Sequence, residues 1–279
     1  MTELNLNHKS DEQLRTFLHT HAPVTVLGGA GISTASGIPD YRDRDGNWKN
    51  ASPVQFADFT GKPQTRRRYW ARSYAGWKNI RSARPNAAHD ALARLERDGL
   101  VGTLITQNVD GLHDRAGSRN LIDLHGRLDR VVCLDCDLAL DRETWQQHLA
   151  ERNRGWDASV DYYKPDGDAE LHDEKVAEFQ VPGCPRCDGT VKPDVVFFGE
   201  NVPRDRVEAA MRQVDDSAAL LVVGSSLMVF SGFRFVRRAA ETGKPVLILN
   251  RGKTRGDELA SIKIDDDCGA VLSRVAAPA

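Results

Sequence analysis

The amino-acid sequence has little cysteine: five residues in 279. That is too few for a disulfide framework in a chain of this size. It has no excess of charge of one sign, with 38 Lys and Arg against 40 Asp and Glu and a formal net charge of −2. A dedicated nucleic-acid or membrane-surface protein carries a basic excess, so neither partner is expected. No apolar run approaches the roughly 18–20 residues of a membrane span. The first ten residues are polar and lack the basic start and apolar stretch of a secretory signal, which makes a reducing cytoplasm the expected compartment. Gly (23) and Pro (12) are near average usage, which excludes collagen-like and low-complexity chains. No internal repeat is present. The length suits one large domain or two, at roughly 100–200 residues each, with a full hydrophobic core.

What is present is an alternation of strand-like and helix-like patterns. Residues 11–20 pattern as a short amphipathic helix, with Leu14, Phe17 and Leu18 at helical spacing and Ser10 placed to cap it. Pro23-Val24-Thr25-Val26-Leu27 is then a strand-like run that ends in Gly28-Gly29-Ala30-Gly31-Ile32-Ser33. A buried strand, a glycine turn and a helix open a nucleotide-binding βα unit. Further strand-length apolar runs cover 101–106, 121–124, 195–198, 218–223 and 245–249, and helical patterns cover 87–97, 205–214 and 232–241. Strands buried on both faces and alternating with helices predict an α/β fold with a doubly wound, Rossmann-like parallel sheet. Two regions break the rhythm. Residues 42–84 are polar and aromatic, with Trp48, Tyr69, Trp70, Tyr74 and Trp77, and residues 131–192 carry paired cysteines around a charged, loop-like middle. Both read as insertions that together build a smaller domain. The expected division is 1–42, 85–130 and 193–279 for the nucleotide-binding domain, and 43–84 with 131–192 for the small one. The Arg66-Arg67-Arg68 run reads as a solvated helix face.

Five constellations carry chemistry. Cys133-x-x-Cys136 and Cys184-x-x-Cys187, 47 residues apart, place four thiolates where they can close on one Zn²⁺. An all-sulfur site leaves no position for water, so the metal would be structural; free or redox-active thiols are the alternative. Pro182, Gly183 and Pro185 mark a tight turn there, while Cys268 stands alone and suits a buried wall position. Gly29-Ala30-Gly31 lets a backbone approach a pyrophosphate at a helix start, although a packing turn would use the same residues. Thr34 stands where a dehydrogenase fingerprint has its third Gly or Ala, and Pro39-Asp40-Tyr41-Arg42 suits a loop that folds over a ligand. Thr106-Gln107-Asn108-Val109-Asp110-Gly111-Leu112-His113 lies at the C-terminal end of a strand, where ligands bind in open α/β sheets, and its polar residues are better explained by a ligand than by folding; a turn capped by Asn and Asp is the alternative. His125 also ends a strand, ahead of Gly126, and an ordinary imidazole pKa near ~6.5 suits a base at neutral pH. Gly224-Ser225-Ser226 and Asn250 end two more strands and suit contacts to ribose and adenine.

Together these units resemble the sirtuins, NAD-dependent protein deacylases. The resemblance runs from about residue 11 to the C-terminus and also takes in Val195-Val196-Phe197-Phe198-Gly199-Glu200. Arg68-Tyr69-Trp70-Ala71-Arg72, Cys133-Leu134-Asp135-Cys136 and Pro165-Asp166-Gly167-Asp168 look most like the class II branch. The resemblance implies that NAD⁺ is consumed: an acyl-lysine oxygen attacks the nicotinamide ribose, nicotinamide leaves, and water then yields lysine and O-acyl-ADP-ribose. It implies that His125 is the catalytic base and that Asn108 positions the nicotinamide end, with Gln107 and Asp110 at the ribose. Gly29, Ala30, Gly31, Thr34, Asp40, Tyr41 and Arg42 match the loop that wraps NAD. Gly224, Ser225, Ser226, Asn250, Arg251 and Cys268 match the adenosine half. Val196, Phe197, Gly199 and Glu200 match a strand whose exposed edge pairs with the acylated peptide, which is recognition by strand addition. Tyr69-x-x-Arg72 resembles a pair that holds acidic acyl groups in another branch; a helix that packs the small domain is the competing reading. The resemblance further implies one structural Zn²⁺ and a monomer. Mono-ADP-ribosylation of proteins from the same pocket is the second reading. A non-catalytic NAD-binding module and a hydride-transferring dehydrogenase are disfavoured by His125 with Asn108 and by Thr34, respectively.

Overall fold

All five residues of the first strand, β1 (Val24–Gly28), are buried, as a strand covered on both faces requires. In the computed structural model, which describes residues 3–49, 53–157 and 171–277, β1 lies inside a six-stranded sheet. Helix α1 (Glu3–His21) precedes it. The chain continues through α2 (Phe56–Gly61), α3 (Pro63–Ser82), α4 (Ala87–Arg97), β2 (Val101–Thr106), α5 (Leu112–Arg115) and β3 (Leu121–Asp123). Next come β4 (Gly126–Cys133), β5 (Ala139–Asp141), α6 (Arg142–Arg152), α7 (Asp173–Glu178) and β6 (Val191–Val195). It closes with α8 (Arg204–Asp216), β7 (Leu220–Val223), α9 (Phe230–Glu241), β8 (Val246–Leu249), β9 (Ile262–Ile264) and α10 (Cys268–Val275). The strand order is β3-β2-β1-β7-β8-β9, and every pair is parallel. Strand order reverses between β1 and β7, and a crevice opens there at the carboxyl ends of the strands.

Alternate residues of each strand feed two separate cores. Leu221, Val223, Leu247 and Leu249 pack with Leu14, Leu18, Leu92 and Leu272 from α1, α4 and α10 on one face. Leu220, Val222, Val246 and Ile248 pack with Val214, Phe235, Val236 and Ala239 from α8 and α9 on the other. The period of two is what makes one strand serve both layers. α4 is the best-defined helix start: Asn86 caps it and His89 returns the bond in a capping box.

The two insertions do meet. Phe59, Trp70 and Trp77 from the first share one apolar cluster with Trp145, Leu149, Val176 and Phe179 from the second. Antiparallel strands β5-β4-β6 form a second sheet beneath it. Trp70 is fully buried and donates its indole N–H to the Val191 carbonyl at 3.1 Å. Arg142, also buried, lies over the rings of Trp77 and Trp70 at 4.8 and 5.5 Å.

Four expectations change. Ser10 lies inside α1 instead of capping it, because no Gly or Pro interrupts residues 3–21 and a nucleated helix propagates. The glycine turn leads not to an α-helix but to two single 3₁₀ turns, Ala30–Ile32 and Thr34–Ser36. Gly37 in the left-handed region (φ 82°) and Pro39 stop any extension, so no helix dipole faces the crevice from this segment. The strand expected over 195–198 instead covers Val191–Val195 and pairs antiparallel with β4. Lys192-Pro193-Asp194 hides it from an apolar-run reading. The solvated face expected for Arg66-Arg67-Arg68 is partly tied down: Arg66 donates to the Phe59 carbonyl at 2.9 Å and Arg68 pairs with Asp173 at 2.7 Å. Residues 165–168, part of the class II wording, lie outside the described residues. Trp70→Ala is expected to lower stability by about 3–5 kcal/mol, the usual cost of emptying a packed aromatic site. Urea unfolding followed by circular dichroism measures it; a loss under 1 kcal/mol contradicts the packing described.

Candidate active site

The carboxyl ends of β1, β2, β7 and β8 surround a cavity of about 420 Å³. That is within the range of small-molecule sites. Gly29–Gly31 and Gly224–Ser226 approach so closely that a Cβ on Gly29 would lie 2.7 Å from Ser225 Cβ, and one on Gly31 would lie 2.9 Å from the Gly224 carbonyl. Glycine is required there by backbone contact. Beyond β2, Gln107 donates to Ser225 Oγ at 2.8 Å. Asn108 Nδ2 donates to the Gly29 carbonyl at 3.1 Å and to Ser33 Oγ at 2.9 Å. Ser33 in turn donates to an Asp110 carboxylate oxygen at 2.7 Å, and the other oxygen accepts the Leu112 N–H at 2.8 Å. The three polar residues after β2 are therefore fixed in position by the loops they face.

His125 follows β3 and lines the cavity. Its Nδ1 lies 3.0 Å from the Gln107 carbonyl, and its Nε2 lies 2.8 Å from Ser231 Oγ. A carbonyl only accepts, so Nδ1 carries the proton and Nε2 holds the lone pair. Burial pushes the imidazole pKa down to about 4 against the Gln107 bond, helped by the positive charges of Arg206 and Arg234. His125 is thus a neutral base at pH 7. Gly126 behind it is left-handed (φ 79°), and a Cβ there would lie 2.0 Å from the Asp194 carbonyl, so the strand crossing is possible only with glycine.

Two loops roof the cavity. In the first, Asp40 pairs with Lys49, and Arg42 lies 3.8 Å over the Trp48 ring while donating to the Gly46 carbonyl. Tyr41, Trp48 and Phe198 form edge-on ring contacts at 5.5–6.3 Å. In the second, the Val196 N–H donates to the His125 carbonyl at 2.8 Å. The Glu200 carboxylate accepts the Phe197 N–H at 2.8 Å and pairs with buried Lys192 at 3.1 Å. This closes 196–200 into a turn in place of the expected strand.

The four paired cysteines converge. Their sulfurs all lie within 4.8 Å of one another, with Cys133–Cys187 at 3.6 Å and Cys136–Cys184 at 3.7 Å. Sulfurs at about 2.3 Å from a tetrahedral Zn²⁺ stand about 3.8 Å apart, so the set fits the ion. Each knuckle also turns a backbone N–H onto a sulfur: Asp135 to Cys133 and Arg186 to Cys184, both at 3.4 Å. Asp137 and Asp188, the residues just after the knuckles, both adopt left-handed backbone (φ 56° and 59°). The matched geometry of the two turns marks them as one metal-binding unit.

A model of the Sir2 family matches residues 29–231. The chain belongs to the Sir2 family. A protein named NAD-dependent protein deacetylase from Bordetella bronchiseptica is 52% identical over 264 residues, covering 95% of this chain and 96% of that protein. NAD-dependent protein deacetylase 1 of Streptomyces coelicolor is 53% identical over 253 residues, covering 91% and 85%. Among solved structures, a Sir2 with p53 peptide and NAD⁺ has a TM-score of 0.75 at 30% identity, covering 94% of this chain and 95% of that one. A Sir2 bound to acetylated peptide also scores 0.75, at 29% identity, covering 95% and 96%.

Most residues singled out in the sequence of this sirtuin line the one cavity: Gly29–Gly31, Asp40–Arg42, Tyr69, Gln107, Asn108, Asp110, His125, Val196, Phe197, Gly199, Glu200, Gly224–Ser226, Asn250 and Arg251. Three do not. Thr34 is exposed and donates to the Gly31 carbonyl. Cys268 starts α10 and reaches the same carbonyl from behind, at 3.6 Å. Arg72, one turn beyond Tyr69 on α3, is outside the lining. Ser33, Trp48 and Ser231 were missed. Ser33 and Trp48 lie inside or beside quoted motifs, but Ser231 reaches His125 across 106 residues and leaves no local signal.

Two measurements follow from this sirtuin's geometry. Cys184→Ser is expected to abolish binding of the one Zn²⁺ per chain counted by atomic emission, and to unfold the small sheet before the large one; full zinc retention would contradict the four-sulfur site. His113 and His125 have pKa values depressed by burial, to about 3 and about 4. The unfolded chain takes up protons below about pH 6.5 that the folded chain refuses, so stability falls on acidification. Each contributes a loss on the order of 2 kcal/mol between pH 7.5 and pH 5. Urea midpoints at the two pH values measure it, and equal midpoints contradict the buried, neutral state.

Proposed function

We propose that this sirtuin is an NAD-dependent protein lysine deacetylase that passes the acyl group of acyl-lysine to ADP-ribose and releases nicotinamide. The observation that carries the reading is the neutral imidazole of His125, with Nε2 as its base, among Gln107, Asn108 and Asp110 at the carboxyl ends of the strands. The names of the relatives and the Sir2 structures with NAD⁺ and peptide support it. Bound NAD⁺ supplies an electrophilic ribose carbon and nicotinamide as leaving group. Asn108 orients the nicotinamide end, and Gln107 and Asp110 hold the ribose. The backbone of Gly29–Gly31 and Gly224–Ser226 takes the pyrophosphate side, with Asn250 and Arg251 at the adenosine end. His125 Nε2 accepts the proton of a ribose hydroxyl while Nδ1–H stays on the Gln107 carbonyl. The roof formed by Tyr41, Trp48 and Phe198 excludes water. The Zn²⁺ held by Cys133, Cys136, Cys184 and Cys187 is structural, since all four positions are sulfur.

The peptide lies along 196–200 and its acyl-lysine enters beside Tyr69 and Phe197, whose rings pack edge-on at 5.1 Å. Tyr69 lines the cavity and Arg72 does not, which favours a short uncharged acyl group over a carboxylate-bearing one. ADP-ribosylation of proteins is not favoured, because the relatives are named as deacetylases. The Arg68–Arg72 wording supports the class II branch. No helix among the described residues is long and apolar enough to cross a membrane. A cytoplasmic location belongs to the same proposal, since four metal-binding thiolates need a reducing compartment. Incubation with NAD⁺ and an acetyl-lysine peptide is expected to give free lysine and matched O-acetyl-ADP-ribose by mass spectrometry. His125→Ala should lower turnover by roughly 10²–10⁴-fold. Nicotinamide release without acyl transfer would overturn the assignment.

A further inference from the structure

His125 is gripped at both ring nitrogens. The Gln107 carbonyl takes Nδ1–H, and the Ser231 hydroxyl, 2.8 Å from Nε2, is the donor to the remaining lone pair. Ser231 stands in the first turn of α9, whose start is seated by Phe233 N–H on the Val229 carbonyl and by buried Phe235 and Val236. α9 also packs directly on the residue that holds the other nitrogen: a Cβ on Gly232 would lie 2.4 Å from Gln107 Oε1. The two grips are therefore locked to each other, and the ring between them has one orientation.

We propose that Ser231 is the positioning residue of the base: its hydroxyl keeps His125 turned with Nε2 unprotonated and facing the cavity, and it yields that nitrogen to a ribose hydroxyl. The second half rests on the deacetylase reading. One lone pair accepts one strong hydrogen bond, so the incoming hydroxyl replaces Ser231. The ribose proton then moves to Nε2, and the Ser231 oxygen, which also accepts, faces the new N–H. The charged groups around the ring are Arg206 on α8 and Arg234 on α9, and both disfavour its protonation. Donation by Ser231 acts in the same direction, because it stabilises the neutral ring.

Nitrogen-15 NMR of the histidine side chains tests this without turnover, with His125 assigned by its loss in His125→Ala. At pH 7 the wild type should show Nε2 unprotonated. Ser231→Ala should keep the Nδ1–H tautomer that the Gln107 carbonyl fixes and give a His125 titration about one pH unit higher, which is about a tenfold gain in proton affinity. Ser231→Thr should restore the wild-type titration. The acid limb of kcat/KM for the acetyl-lysine peptide should move up with the titration and return in Ser231→Thr. A Ser231→Ala protein whose His125 titration matches the wild type overturns the role of Ser231. Absence of deacetylation in a wild type that shows the NMR shifts would overturn the proposed function and leave this bond standing.

Discussion

Gly31 donates its backbone N–H to the Gly224 carbonyl at 2.8 Å, and no side chain fits between the two loops. This contact stitches the ends of β1 and β7 where strand order reverses. Helices leave the two halves of the sheet on opposite sides there, so the crevice cannot be filled from the sheet itself. What fills it must come from loops and insertions. That is why the loop after the glycine turn supplies Tyr41, residues 43–84 supply Trp48 and Tyr69, and the segment after β6 supplies Phe197 and Phe198. A single close backbone approach thus dictates that the site is built from distant pieces of chain. Its polar floor comes from strand ends and its apolar roof from inserted segments.

The floor is held by mutual satisfaction. Asn108, Ser33 and Asp110 use their hydrogen bonds on each other and on backbone, and Gln107 joins the loop after β2 to the loop after β7. Such a network holds its geometry before any ligand arrives, which is what an electrostatic site requires. The burial that makes these bonds strong also keeps His125, His89 and His113 neutral. One desolvated environment therefore provides both the fixed dipoles and the unprotonated base.

The parallel sheet was legible because its strands are continuous apolar runs, and the α4 and β2 boundaries expected at 87–97 and 101–106 are those observed. The metal site was legible because ligand spacing is local. The polar residues after β2 and His125 were legible as groups at strand ends, where ligands bind in open α/β sheets. What was hidden depends on contacts across the chain. β6 contains Lys192, Pro193 and Asp194, which no apolar pattern admits, yet Lys192 is buried because Glu200 and the Val195 carbonyl receive its ammonium. The glycine turn reads as a helix start, but Gly37 and Pro39 stop it after two 3₁₀ turns. Ser231 sits in an ordinary helix start, and its partner lies 106 residues away.

Lys192 also explains how the irregular 196–200 segment keeps one shape. Outside the regular sheets, the segment is held by the Val196 N–H on the His125 carbonyl and the Phe56 N–H on the Phe198 carbonyl, both at 2.8 Å. The ammonium lies under the Phe56 and Phe197 rings, at 5.8 and 5.1 Å, and pairs with Glu200, whose carboxylate holds the Phe197 N–H. Burial draws the Lys192 pKa below its ordinary range against the pull of Glu200. A buried pair of this kind adds little net stability but is costly to break, which makes it a device for fixing one conformation. From the same segment, Phe198 meets Tyr41 and Trp48 of the first roof loop. The 196–200 turn and the 40–48 loop therefore meet at one aromatic joint.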